Sequence, residues 1–585
     1  MTRPTLLAGT AITLATSLAI ATTATAHERD DLAAEHATEI YYNAQVHTPD
    51  GWAEAMAVAD GVILATGTNE EVAQLADAAT RRMDMGGETI LPGLHDAHVH
   101  VLFAGMEQFA CGFEPGASPD RIAQRVGECV ANAQPGDWIT GGNWVAAVFE
   151  DGQQNRQFLD AIAPDNPVVL VDESHHSSWA NSRALELAGI TRDTPDPLNG
   201  IIDRDANGEP TGLLRESAEA LVANAMPPAS VAERERALRL STAQMLSYGI
   251  TSFNDAGVTQ ENIGVLADLS ESGVMKQRVL GCIRWAPPGM EGHEESMQLI
   301  NERGFYEAGR FEPRCVKIVL DGVPTESHTA AMLRPYVDNP HGHSDGPSTG
   351  LLMVPQDVLN EAVANFDRQG LLIKFHAAGD GAVRAAINAV AHARQVNGAG
   401  GPMHDVGHNS FIDPQDIPRV REVNMTWEFS PYIWYPTPIA DKDIRRAIGD
   451  ERMERWIPIR DAVETGALVV AGSDWSVVPS VNPWLAIETM VTRQMPGGSS
   501  NTVGEGQRVD LETAFKIFTA NGASQLGERS TWGSLEPGMM ADFIVTETNP
   551  FEVPITSVHS TKVARAYIEG ELVYDAANPP QLTAN

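Results

Sequence analysis

The sequence predicts an α/β chain: a distorted TIM (β/α)8 barrel, with a small β-sandwich built from both chain ends and an inserted subdomain. Three observations lead there. Through the middle of the 585-residue chain, eight apolar strand-like runs alternate with helical stretches, the pattern of a parallel sheet wrapped by helices. Both chain ends read as short strands around tight turns, and neither end has enough strands for a core of its own. One gap between runs, roughly 107 to 235, is too long for a single βα unit.

At the N-terminal end, two short strands flank Asp60-Gly61, a strong hairpin cue. At the C-terminal end, the runs 541–546 and 563–574 repeat the arrangement around Glu569-Gly570. Pairing the two ends into one sandwich buries both. The eight barrel runs are 89–92 leading into His98, 251–255, 278–284, 315–320, 371–376, 405–408, 425–429, and 467–472 leading into Asp474. A further run, 167–171, falls in the long gap. The expected parts are therefore a leader at 1–26, sandwich strands within 27–92, a barrel over 93–530 holding the insertion 107–235, and the remaining sandwich strands and tail at 531–585.

The leader has Arg3, an apolar small-residue stretch and Ala24-Thr25-Ala26 before His27. That order of basic, apolar and small residues is the pattern of a secretory signal peptide. It predicts an exported protein, periplasmic or secreted, with no membrane association after cleavage. With 40 basic and 78 acidic residues, the formal net charge is −38, which argues against a nucleic-acid partner and against anionic lipid. A small-molecule partner is expected, and a homodimer stays open. Of the four cysteines, Cys111 and Cys129 lie close together in a polar region and are expected to form a disulfide outside the cytoplasm. Cys282 and Cys315 sit in apolar runs, where buried free thiols are the commoner outcome.

Barrel enzymes carry their chemistry at the C-terminal ends of the strands, and these runs end in suitable side chains. In Leu94-His95-Asp96-Ala97-His98-Val99-His100, His98 and His100 are two apart on an extended segment and offer two imidazoles on one side. The fifth run supplies His376, the sixth His408 and the eighth Asp474. A carboxylate after five apolar or small residues is costly to bury without a cation. Lys317, amid apolar residues of the fourth run, needs a partner. It either pairs with a carboxylate such as Asp321, or carries carbon dioxide as a carbamate that bridges two metal ions. His176 and Glu216 in the insertion either cap local structure or face the site. Glu216 is also the alternative bridge. Trp138 and Trp144, beside Gly141-Gly142, are candidates for the pocket mouth. Trp427, Trp434 and Tyr435 are placed with the seventh run, where substrate would lie; each of these five aromatics either meets substrate or packs in the core.

Pro92-Gly-Leu-His-Asp-Ala-His-Val-His100, the Lys317 strand ending in Asp321-Gly322, His376-Ala-Ala-Gly-Asp380, Gly407-His-Asn-Ser-Phe-Ile-Asp-Pro-Gln-Asp-Ile417 and Gly472-Ser-Asp-Trp475 together resemble the amidohydrolase superfamily. More narrowly they resemble amidohydrolase family 3, the group related to N-substituted formamide deformylase. The resemblance runs from about Glu39 to Tyr574 and keeps the motif order. It implies a metal-dependent hydrolase of non-peptide carbon–nitrogen bonds that uses a metal-activated hydroxide. His98 and His100 would hold the more buried ion, and His376 and His408 the more exposed one. Lys317 would be the carboxylated bridge, and Asp474 a ligand and proton shuttle. His176 and Glu216 would face the substrate, alongside Trp144 and Trp434 if these aromatics serve recognition. Zinc suits such ligands, two ions per chain, with one as the alternative. The segment 321–330 lacks the Gly- and Ser-rich, arginine-bearing form of relatives, and Val406-Gly407-His408 replaces Ile-Glu-His. Both departures point to a different substrate pocket. Other readings are a single-metal deaminase, a lactonase or esterase, and an inactive exported binding protein on the same scaffold.

Overall fold

The computed structural model describes residues 36–150, 153–325, 327–338, 348–430, 434–478 and 480–579; the expected leader, 1–26, lies outside them. The central element is an eight-stranded parallel sheet with strands in chain order. These are β1 Leu94–Val99, β2 Ile250–Val258, β3 Arg278–Arg284, β4 Phe311–Val319, β5 Leu372–Ala377, β6 His404–His408, β7 Met425–Phe429 and β8 Leu468–Ala471. All residues of β1, β5, β6 and β7 are buried, because helices cover the outside and side chains fill the inside. The sheet nearly closes on itself. Beyond β8, Asp474 N donates to His98 O at 2.7 Å and His100 N to Trp475 O at 2.7 Å. Gly472 makes this seam: a Cβ there would lie 2.3 Å from His98 Cβ, so only glycine lets β1 and the end of β8 meet.

The sandwich has two sheets. One orders Val62–Gly67, Ala55–Ala59, Glu39–Tyr42 and Arg81–Asp84; the other orders Glu571–Asp575, Val563–Ile568, Phe543–Thr546, Thr89–Pro92, Gln45–Thr48 and Gly51–Ala53. N- and C-terminal strands meet where Thr89–Pro92 pairs antiparallel with Phe543–Thr546. Asp60 and Gly61 have φ +49° and +79°, and Glu569 and Gly570 +51° and +73°. Both turns thus have the two positive φ values that match strand twist in a tight hairpin. Thr89–Pro92, read from sequence as the first barrel run, belongs to the sandwich. Chain direction changes at Gly93, and β1 begins at Leu94.

The insertion has its own six-stranded sheet, ordered Gly200–Arg204, Pro210–Glu216, Ser177–Ala180, Val168–Asp172, Ile139–Trp144 and Cys111–Gly112, with separate apolar clusters on its faces. A Cys111–Cys129 disulfide ties its edge strand to the helix Pro119–Asn132. The expectation of free thiols at Cys282 and Cys315 is corrected: they form a second disulfide. The two residues are 33 apart in sequence, but the β3–β4 register sets them side by side. Among the described residues, no helix is long and apolar enough to cross a membrane.

Candidate metal centre

The expected ligands converge from different strands onto one end of the barrel. His98 lies in β1, Lys317 in β4, His376 in β5 and His408 ends β6, while Asp474 follows β8. One donor atom each from His98, His408 and Asp474 lie within 4.8 Å of one another. Asp474 Oδ1 is 3.6 Å from His98 Nε2 and 3.3 Å from His100 Nε2, and Oδ2 is 3.4 Å from His408 Nδ1. Lys317 Nζ lies 3.1 Å from His98 Nε2. His376 is the outlying member. Its Nε2 faces Gly322 O at 3.2 Å, although its ring lies 4.2 Å from that of His408, centroid to centroid.

These donors suit a cation. Burial holds the His98, His376 and His408 imidazoles well below the usual histidine pKa, so they are neutral with lone pairs available. Burial alone would raise Asp474, but His408 and His100 beside it outweigh that and keep it well below the usual carboxylate range. His408 Nε2 and Asp474 Oδ1 are buried without a hydrogen bond. Such orphaned atoms are costly, and a shared metal ion would satisfy them. His408 and Asp474 also have left-handed backbone, φ +71° and +57°. Non-glycine residues rarely adopt this conformation, and it is stored at functional sites.

Beneath the ligands lies a charged layer that sequence reading missed. His98 Nδ1–H donates to Glu428 Oε1 at 2.5 Å, which leaves Nε2 as the ligand atom and fixes the ring. Lys374 pairs with Glu428, and with Asp405 Oδ2 at 2.9 Å, all three side chains having no solvent exposure. Asp96 Oδ1 accepts from His98 N at 3.0 Å and Ser473 N at 2.9 Å, bracing the seam under both ligand segments. Charged residues in the middle of otherwise apolar strands (Lys374, Asp405, Glu428) were the available signal.

The proposed Lys317–Asp321 pair is not formed. Asp321 accepts instead from the backbone N–H groups of Ala331, Ala378 and Gly379 at 2.8–3.0 Å, and no carboxylate lies within ion-pair distance of Lys317 among the described residues. Burial lowers the Lys317 amine to about 8.

The insertion reaches the site through two residues. His176 Nδ1 lies 2.8 Å from Glu216 Oε2, and the His176 ring is 5.2 Å from that of His376. Glu216 also accepts from the Thr329 hydroxyl and has φ +52°. Of the two readings of the aromatics, substrate contact is corrected and packing holds. Trp144 is fully buried in the insertion core and donates to Leu170 O at 2.9 Å. Gly141 and Gly142 beside it are wedged against Cys111 and Val171 backbone. Trp434 is fully buried, donates to Thr489 Oγ1 at 3.2 Å and stacks under Arg493. Trp427 is fully buried too, and Trp138 and Tyr435 pack against core clusters. Their role is packing.

The amidohydrolase family model matches residues 81–574, which is most of the chain. The chain belongs to the amidohydrolase family. It is 28% identical to the putative amidohydrolase YtcJ of Bacillus subtilis over 89% of this chain and 96% of that one. It is 27% identical to an N-substituted formamide deformylase of Arthrobacter pascens, over 91% and 97% respectively. A crystal structure of an uncharacterized metal-dependent hydrolase from Pyrococcus furiosus has the same fold, with TM-score 0.66 at 22% identity over 88% of this chain and all of that one. Family membership and the donor set together make this amidohydrolase a metal-dependent hydrolase.

Proposed function

We propose that this amidohydrolase cleaves a non-peptide carbon–nitrogen bond of amide or formamide type in a small molecule. The observation that carries the reading is the convergence of His98, His408 and ionised Asp474 beside a buried lysine that has no carboxylate partner among the described residues. The deformylase named above supports the bond type. We further propose zinc, two ions per chain, held by His98, His100, His376, His408 and Asp474, with Lys317 carboxylated between them. An anion there offsets repulsion between two cations, which neutral imidazoles cannot do. A divalent cation bound by these donors would polarise the substrate carbonyl and acidify a water molecule.

The chain's own contribution is proton handling and positioning. Asp474 takes the proton of the attacking water and returns it to the departing amine, acting as base and then acid. Glu428 keeps His98 in the ligating tautomer. His176, held by Glu216, faces the substrate side of His376. Export, expected from residues 1–26, is proposed too, with a mature start at His27; the two disulfides suit an oxidising compartment. Intact mass of protein from the native host checks it, and a retained Met1 would contradict it.

A second reading has its own observation. Only His98, His408 and Asp474 form a tight donor group among the described residues, which is enough for one ion and a single-metal reaction. Zinc counting, with a screen of formamides, acyl amines and lactones, separates the readings. Two ions and amide turnover support the first. One ion, or turnover of lactones alone, contradicts it. In Asp474→Asn, kcat should fall about 10²–10⁴-fold while most of the metal stays bound; full activity would remove the proton-shuttle role.

A further inference from the structure

Arg284 ends β3, and nothing above uses it. Its direction follows from the sheet. Lys317 Nζ touches His98 Nε2, and β4 and β1 are separated by β2 and β3, so Lys317 points across the barrel interior. Cys315, two residues earlier, points the same way and is bonded to Cys282, its register partner on β3. Arg284, two residues past Cys282 and in register with Lys317, therefore also faces the interior. Its root is one strand spacing, about 4.8 Å, from that of Lys317.

Unlike its neighbours Ile283 and Trp285, Arg284 is solvent-exposed, which places it in water at the C-terminal mouth of the barrel. His100 and His176 keep 19% and 17% side-chain exposure in the same region. The surrounding protein lowers the Arg284 pKa, although the fields of Glu219 and Glu216 act on it in the opposite sense. Enclosed yet wet is the condition of a group in a recess. The Arg284 guanidinium makes no hydrogen bond or ion pair among the described residues. Both carboxylates it senses have donors already: Glu216 from His176 and Thr329, and Glu219 from Ser178 Oγ at 2.7 Å. An arginine is charged at all relevant pH values, and its planar fork of N–H donors matches a carboxylate.

We propose that Arg284 binds a carboxylate of the substrate, which makes the preferred substrate an amide with an anionic group close to the scissile bond, such as an N-acyl amino acid. The scissile carbonyl would lie at the Asp474 side and the carboxylate at the β3 rim. This rests on the amide-hydrolase reading, so its test avoids turnover. Levulinate and benzoylpropionate are ketone isosteres of N-acetylglycine and N-benzoylglycine that cannot be hydrolysed as amides. Their binding to the zinc-loaded enzyme is compared by calorimetry with that of the neutral ketones that carry an isopropyl group in place of the carboxylate, 5-methyl-2-hexanone and 4-methyl-1-phenyl-1-pentanone. At least one acid should bind about 10–100-fold more tightly than its neutral counterpart, the range of a charge-assisted arginine–carboxylate contact. Arg284→Met should bring the pair within about twofold, and Arg284→Lys should keep part of the preference. Equal affinities in wild type, no binding of either acid, or an undiminished preference in Arg284→Met would overturn the proposal. In the last case Arg284 merely balances Glu216 and Glu219. Separate turnover of N-acylglycines tests the hydrolase reading: binding preference without turnover would sink that reading and leave Arg284 as an anion site.

Discussion

Lys317 and Lys374 stand side by side in register on β4 and β5, both buried in the barrel, yet their surroundings differ. Lys374 lies between Asp405 and Glu428. Burial would push its amine down, but those two carboxylates outweigh it and hold Lys374 above the ordinary lysine value. Lys317 has an imidazole as its neighbour and, among the described residues, no carboxylate within ion-pair distance, and burial lowers it to about 8. Two lysines in similar apolar strands thus have opposite characters. Lys374 is a permanent cation that neutralises the layer beneath the site. Lys317 is an amine poised to lose its charge, the state in which a lysine nitrogen can attack carbon dioxide. The flanking residues, Val-Lys-Ile and Ile-Lys-Phe, do not distinguish them; the facing strands do.

The comparison breaks if the wrong lysine matters for turnover. Lys317→Ala should reduce turnover by about 10⁴-fold or more, the scale seen when one member of a catalytic unit is removed. In metal-free protein it should cost less stability than the Lys374 change below, since no ion pair is lost. Formate, acetate or bicarbonate should restore part of the activity. Steady-state kinetics with thermal melting checks this, and a variant that is active without rescue would contradict it. The reverse pattern is expected at Lys374. Lys374→Met leaves two buried carboxylates without their cation, so it should cost about 3–5 kcal/mol of stability, read as a loss in the denaturant midpoint. An unchanged midpoint would mean that Asp405 and Glu428 do not depend on the Lys374 cation. Glu428 touches both His98 and Lys374, so Glu428→Gln sharpens the contrast. It should weaken zinc binding about 10–100-fold by loosening His98, measured by competition with a chelator. Unaltered affinity would confine Glu428 to the Lys374 pair.

The strand count and the terminal sandwich could be read from the sequence because parallel barrel strands are apolar on both faces and tight turns need particular residues. The histidines and Asp474 were conspicuous because each stands where an apolar run ends. Sequence periodicity gives a residue's parity along its own strand, but not its partner on the next one. That limit explains the disulfide missed at Cys282 and Cys315, whose meeting depends on the β3–β4 register. It also explains why Asp321 was considered for Lys317, although backbone N–H groups already saturate it. The glycines beside Trp144 and the position of Trp434 after the seventh run do not tell recognition from packing, whereas their indole donors, satisfied inside the core, do. The roles of Asp96, Asp405 and Glu428 are not legible in the sequence, because they depend on the N–H groups, lysine and imidazole that other strands bring to them.

The most direct test of the central claim is carbon-13 NMR of enzyme stripped of metal and reconstituted with zinc and labelled bicarbonate. The wild type should show one carbamate carbon per chain that does not wash out, and Glu428→Gln should retain it at saturating zinc. Lys317→Ala should lack it. A fully active, zinc-loaded wild type with no carbamate signal, or a signal that survives in Lys317→Ala, would contradict the account.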